Sequence, residues 1–363
     1  MTSSDLDAYQ SDTLEWLLQP EQPSVRYLTL RHLMGISESD SSVRDAHAAI
    51  VSSHPVRRIL SRQGPQGAWG DPVNPYLPKY KSSYWTLMLL GHLAVRRENE
   101  QIQRAVEHVF TFQQADGGLA ECGREGACRD YDYVARSRIA HGKIPPEESD
   151  FVDDYVRQMT LSCLTGNVLA AMSRLGYGDD RRARKAVQWL VSIQHADGGW
   201  LCPYWKAHIR DKHSCFYGTI CALEGLCETR PEQRTPRTQQ AIARGAEFLL
   251  LHRLYRSDHH NWEIINSRWL ARGFPWFYGY DILRGLWVLG RLGLSDERMD
   301  DARTELLRKR TPEGRWILER APQGSMQASL EKRGQPSKWI TLYALWALRD
   351  LANHESLDPT SHV

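Results

Sequence analysis

One short loop pattern recurs along this chain and constrains its fold more than anything else in it. It reads Arg62-Gln63-Gly64-Pro65-Gln66-Gly67-Ala68-Trp69, then Gln114-Ala115-Asp116-Gly117-Gly118-Leu119, then Gln194-His195-Ala196-Asp197-Gly198-Gly199-Trp200. A degenerate copy is Lys309-Arg310-Thr311-Pro312-Glu313-Gly314-Arg315-Trp316. Each copy follows one helical pattern and precedes another, the mark of a stacked repeat. Gln near a helix end can bond backbone groups without intrahelical partners. The following Gly allows positive φ, and the apolar residue packs across the turn onto the next unit.

Between the turns the hydrophobic pattern alternates. Six segments are apolar on most faces and read as inner helices: Ser24–Met34, Ser83–Ala94, Ser162–Gly176, Ser214–Cys227, Tyr278–Leu292 and Ser337–Leu351. Amphipathic segments lie between them, near 12–18, 41–62, 99–113, 181–194, 237–252 and 299–310. Six inner and six outer helices describe an all-α chain, an α6/α6 toroid, in one domain over residues 1–363. The connecting stretch 120–157 is polar, contains Pro145-Pro146, and reads as a long loop or lid.

Here the turns resemble the QW motif of squalene and hopene cyclases and the matching turns of protein prenyltransferase β subunits, over roughly residues 60–350. The resemblance implies a toroid with a central cavity at whose mouth the inner helices begin. It implies an enzyme acting on an apolar, isoprenoid-like substrate or on a thiol. Protein prenyltransferases hold zinc through Asp-x-Cys at one inner-helix start and a later His. His213-Ser214-Cys215 stands at the first of these positions, while Trp339 or Ile340 stands in the region of the second. Lanthipeptide cyclases, also toroids, bind zinc through two Cys and one His.

Aligning the inner helices by their apolar ends brings Cys163, Cys215 and Asp281 to one level, with Cys202 in a loop crossing the same mouth. Helix N-termini favour negative charge and lower thiol pKa values. Cys163, Cys202, His213 and Cys215 thus form a candidate tetrahedral zinc site, with Asp281, Cys215 and His213 as candidate catalytic groups. Asp281 can equally be a plain helix-terminal acid, and the thiols plain core residues. Trp205, Trp276, Tyr280, Lys338 and Trp339 are candidate cavity-lining residues, in a chain with 13 Trp and 15 Tyr but 7 Phe. Tyr76 with Lys79-Tyr80-Lys81 can hold an anion or sit in solvent. The Asp of a DxDD motif, which protonates an alkene in class II terpene cyclases, has no counterpart: Asp150-Phe151-Val152-Asp153-Asp154 lacks the acid that the spacing requires.

Three functions compete at this level. One is a zinc-dependent transferase, cyclase or lyase. A second is a metal-free cyclase or isomerase using Asp281, Cys163 or Cys215 as acid or base. The third is a non-catalytic toroid that binds a lipid or peptide. Composition excludes other classes. Net charge is +2, with no basic face for nucleic acid. No apolar run approaches the ~20 residues of a membrane span. Seven cysteines behind a polar, acidic start point to a reducing cytoplasm.

Overall fold

The computed structural model describes residues 10–322 and 324–355. Among them are fifteen α-helices and no strand longer than an isolated bridge. The all-α class read from the sequence holds. In chain order the helices are α1 Gln10–Leu17, α2 Pro23–Leu28, α3 Ser41–Ser52, α4 His54–Leu60, α5 Ser83–His92, α6 Glu100–Phe110, α7 Arg124–Ala140 and α8 Glu148–Gln158. They continue as α9 Ser162–Met172, α10 Arg181–Ser192, α11 Phe216–Cys227, α12 Pro236–Leu251, α13 Ile282–Arg291, α14 Asp300–Arg308 and α15 Lys338–Glu355. Single π-turns, Thr29–Leu33 and Ser173–Tyr177, extend α2 and α9. No helix among the described residues is long and apolar enough to cross a membrane.

The six segments expected to be inner are α2, α5, α9, α11, α13 and α15. All residues of α11 except Tyr217 are buried, and all of α9 except Cys163. The amphipathic segments became α1, α3, α4, α6, α10, α12 and α14, the stretch 41–62 being divided at Ser53. The segment 120–157 is not an extended loop. It holds α7 and α8, two helices packed on each other around Ala120, Cys122, Ala127, Val152 and Val156.

The chain packs into two compact units. Unit 1 comprises residues 1–59, 92–95 and 246–363, and unit 2 comprises 60–91 and 96–245.

The repeat turns share one geometry. In three copies a Gln side chain donates both to the carbonyl of its own Gly and to a carbonyl of the next outer helix. Gln63 reaches Gly67 and Gln101 (3.0 and 2.7 Å), Gln113 reaches Gly117 and Arg182 (2.9 and 2.8 Å), and Gln194 reaches Gly198 and Ala241 (2.6 and 2.8 Å). In the second copy the bridging residue is Gln113, one before the Gln114 that the sequence pattern suggests; Gln114 turns to Phe112 O. Gly67, Gly117 and Gly198 have φ of 80°, 109° and 94°. A Cβ there would lie 2.5, 2.3 and 2.5 Å from backbone oxygens of Arg104, Lys185 and Arg244, so only Gly fits.

All four turns are tied to the inner helix that follows. A Ser or Thr hydroxyl from the start of that helix accepts the N–H of the turn's last residue: Ser83 from Trp69 (3.0 Å), Thr165 from Leu119 (2.9 Å), Thr219 from Trp200 (3.0 Å) and Thr341 from Trp316 (3.0 Å). The loop is thereby pinned against the beginning of an inner helix, and whatever follows the turn is delivered to that end.

Candidate functional site

Two residues after the second repeat turn stands Glu121, and two after the third stands Cys202. Both belong to unit 2. Glu121 N donates to Met159 O (3.0 Å), which fixes it beside the start of α9. Cys202 lies against the same helix start, its sulfur 3.7 Å from Ser162 Oγ.

Cys202 is buried and lies at the centre of a hydrogen-bonded cluster. The Cys163 thiol donates to it, which holds Cys202 well below the ordinary thiol range despite burial; His208 and the Ser162 hydroxyl and N–H add to the effect. Cys163 is pushed well up by the same bond and by burial. His208 is raised by its bond to Cys202, against burial. Cys202 thus lies among a thiol, an imidazole and a hydroxyl, with the start of α9 behind it.

The helix-start thiols behave differently from the sequence expectation. Cys215 caps α11, and the N–H groups of Tyr217 and Gly218 point at its sulfur, yet burial outweighs them and raises it. Of Cys163, Cys202 and Cys215, the lowered thiol is the one on the loop, where Cys163, His208 and Ser162 side chains donate to Cys202. His213 is exposed, with Nδ1 2.8 Å from Ser214 O; the histidine on Cys202 is His208. Among the described residues no three His, Cys, Asp or Glu side chains stand close enough to share a metal ion. Of the expected quartet Cys163, Cys202, His213 and Cys215, the structure brings Cys163 and Cys202 together and turns His213 to Ser214 O.

Glu121 is half-buried, and burial raises its carboxyl to about 7. Lys79 and a hydrogen bond from Tyr76 pull it down, and the charge of Cys202 pushes it up. Lys79 lies over the Tyr76 ring, 5.3 Å from its centroid. A carboxyl that is half protonated at neutrality can both give and take a proton.

Unit 1 carries the other sequence candidates. Asp281 is fully buried and caps α13, accepting from Arg284 N (3.0 Å), Gly273 N (3.0 Å) and Trp276 Nε1 (3.1 Å), with Arg320 at 3.7 Å. Burial raises its carboxyl. Trp276, Tyr280 and Trp339 are buried in aromatic packing. Trp276 lies 4.8 Å from Tyr343, Trp339 stacks on Phe274 at 4.6 Å, and Tyr280 meets Trp269 at 5.0 Å. Lys338 is buried, bonded to Gln19 Oε1 (2.9 Å) and set over Trp16. These side chains occupy one another's surfaces. Trp205 belongs to unit 2, where it is exposed and meets His208 edge-on at 4.5 Å.

A cavity of about 330 Å³ in unit 1 is lined by Arg58, Phe274, Leu318, Met326, Leu330 and Glu331 among others. Glu331 accepts from Ser337 Oγ, Lys338 N (2.8 Å) and Gln22 Nε2 (3.3 Å), and burial raises it.

Glu121, His208 and Glu331 were not singled out in the sequence. Glu121 had a signal: it is a lone acid closing the apolar run Gly118-Leu119-Ala120 before Cys122. His208 had none, since its loop has no periodicity. The acids Asp153 and Asp154 are exposed on the outer face of α8, paired with Arg124 and Lys206.

No protein-family model matches the chain. A stretch of 142 residues is 29% identical to squalene–hopene cyclase of Bradyrhizobium diazoefficiens, covering 35% of this chain and 19% of that protein. A stretch of 138 residues is 32% identical to a probable squalene–hopene cyclase of Sinorhizobium fredii, covering 35% and 20%. The match thus spans about a fifth of the length of these relatives. Among solved structures, the type II terpene cyclase MstE from Scytonema, in a variant bound to geranylgeranyl dihydroxybenzoate, is similar with a TM-score of 0.47 and 15% identity over 97% of each chain. A protein from Actinoplanes has a TM-score of 0.45 and 17% identity, over 93% of this chain and 90% of that one.

Proposed function

We propose that the chain is a terpene-cyclase-like enzyme that transfers a proton to or from an apolar, isoprenoid-like substrate at the inner-helix starts of unit 2. The observation that carries this reading is Glu121, a half-buried carboxyl held near neutrality between Lys79, Tyr76 and the Cys202 cluster. Protonated Glu121 donates to an alkene or leaving group; ionised Glu121 removes a proton from the product cation. Tyr76 orients the carboxyl, and Lys79 keeps its ionised form accessible. The acid of the DxDD motif, missing from the sequence, is thereby replaced by a carboxyl on a repeat-turn exit. The partial likeness to squalene–hopene cyclases supports a polyprenyl substrate.

The test is Glu121→Gln assayed on squalene and on geranylgeranyl-bearing aromatics, with products resolved by gas chromatography. The reading expects wild-type conversion and a loss of about 10²–10⁴-fold in the variant with the helical circular-dichroism signal retained. Equal turnover in both proteins would overturn it.

A further inference from the structure

Unit 2 also holds a groove that the candidate site does not use. Gly178, just beyond α9 and its π-turn, and Thr229, just beyond α11, line it together with residues of α10 and the start of α12. Glu121 and Cys202 stand by the start of α9, and α9 with its π-turn runs from Ser162 to Tyr177, roughly 20 Å of helix. The groove therefore lies past the far end of that helix. Its volume is about 820 Å³, the size of a small-molecule site.

The lining combines a short apolar strip with charge of one sign. Arg184, Val187 and Val191 follow one another at i, i+3 and i+7 on α10 and so share one face. Val187 and Val191 are half-buried, and Pro236 adds apolar surface from α12. Arg184 on α10 and Arg237 on α12 are exposed, and no Asp, Glu or His lines the groove. The acids next to Gly178 are held by other arginines: Asp179 pairs with Arg230 (3.2 Å) and Asp180 with Arg182 (2.8 Å). Arg184 adds a smaller pull on Asp180. Neither Arg184 nor Arg237 forms a salt bridge among the described residues.

We propose that this groove binds one aliphatic chain ending in an oxyanion, a carboxylate or a phosphate. The chain lies on Val187, Val191 and Pro236, and the oxyanion meets Arg184 and Arg237. Covering the valines removes apolar surface from water, and each guanidinium presents a fork of N–H donors that matches carboxylate or phosphate oxygens. A cationic amphiphile would meet two like charges and no counter-charge. A docked protein helix suits the strip less well. A stable interface takes about 800 Å² on each partner, whereas Val187 to Val191 is about one turn of α10. The ligand is not the substrate of the candidate site, so the inference stands whether or not Glu121 transfers a proton.

The experiment titrates the full chain at neutral pH with sodium dodecanoate, dodecyl phosphate or dodecyltrimethylammonium, each below its micelle concentration, by isothermal calorimetry. Saturable one-to-one binding of either anion, at least tenfold tighter than of the cation, supports the proposal, and the tighter anion names the head group. The double variant Arg184→Gln, Arg237→Gln should weaken anion binding at least tenfold, and Val191→Asp should do the same by placing a negative charge on the strip. Circular dichroism confirms that both variants fold. In the wild-type chain the bound anion should slow amide exchange in α10 and in residues 229–238, a map that decides the matter even if a variant fails to fold. Equal affinity for anion and cation, no saturable binding, or protection confined to other segments would overturn the proposal. None of the substituted residues belongs to the candidate site and the assay reads no turnover, so its failure is separate from a failure of the Glu121 reading.

Discussion

Two inner helices of unit 1, α13 and α15, begin differently from two of unit 2, α9 and α11. In unit 1, α13 starts under Asp281 and α15 under Glu331. Asp281 is buried and Glu331 half-buried, and each accepts backbone N–H groups of the first turn along with side-chain donors. In unit 2, α9 starts at Leu161 and α11 at Cys215, neither of which makes a side-chain cap of the usual oxygen type. Helix-start N–H groups meet carboxylate oxygen in the first case and cysteine sulfur in the second, Ser162 N–H at Cys202 and the N–H groups of Tyr217 and Gly218 at Cys215. The carboxylate that unit 2 does bring near, Glu121, holds off from capping and keeps its proton to about neutrality. A buried acid with every acceptor lobe occupied is scaffold; a buried acid with few donors is poised for chemistry.

Four measurements break or sharpen this contrast. The largest effect belongs to Asp281→Ala, which leaves two backbone donors, the Trp276 indole and a nearby arginine without their acceptor. A loss of about 3–5 kcal/mol is expected, read from the urea midpoint of the full chain; a loss below about 1 kcal/mol would mean that the cap is dispensable. Glu331→Ala is next, at about 2–3 kcal/mol, since Lys338 N and Ser337 lose one acceptor group.

Glu121 shows its difference through pH. Its folded carboxyl lies at about 7 against an ordinary 4.5, so the native state holds the proton more tightly than the unfolded chain does. The stability this gives is fully present below pH 4.5 and is lost as pH rises through 7. The amount is on the order of 3 kcal/mol before solvent screening reduces it. Glu121→Gln should flatten that stretch of the stability–pH curve while costing little at pH 7. An unchanged slope would return Glu121 to the ordinary surface acids.

The smallest effects are shifts of that midpoint. Lys79→Met removes the cation that lowers it and should move it up by about half a unit to one unit. Cys202→Ser removes the negative charge that raises it and should move it down by a similar amount. Carboxyl titration by isotope-edited infrared spectroscopy reads both; shifts of the same sign would sink the electrostatic picture.

The inner helices were legible because they are apolar around nearly their whole circumference, a pattern that survives in any packing. The repeat turns were legible because Gln, Gly and an apolar residue each have a separate physical task there. The helix α7 was not. Its sequence has no apolar stripe, and Tyr133 and Ile139 stay 73% and 63% exposed; it is held by packing around Ala127 against α8. Among the site residues, cysteines stood out by residue type alone, and Cys163 and Cys202 did come together. Which histidine joins them depends on the path of the loop 203–213, where no period exists to read. Trp276 and Tyr280 were visible as aromatics, but whether aromatics line a space or fill it is decided by neighbours distant in the chain, such as Tyr343 and Trp269.

The division of the chain has a consequence for its synthesis. Unit 2 is almost one continuous stretch, 60–245 with four residues lent out, whereas unit 1 is assembled from a segment made before it and a segment made after it. On a ribosome, where domains fold in the order they emerge, unit 2 has its whole sequence in hand while the segment before it has only part of its partners, such as Leu93 for Ser24, and waits for the rest beyond residue 245. Thr13 finds its acceptor at Glu313, and Gln22 at Glu331, both beyond that gap. The early helices are thus born as exposed apolar surfaces that must be shielded until the last third of the chain arrives. This is where the nascent protein would most need a chaperone, and where truncation would do the most damage.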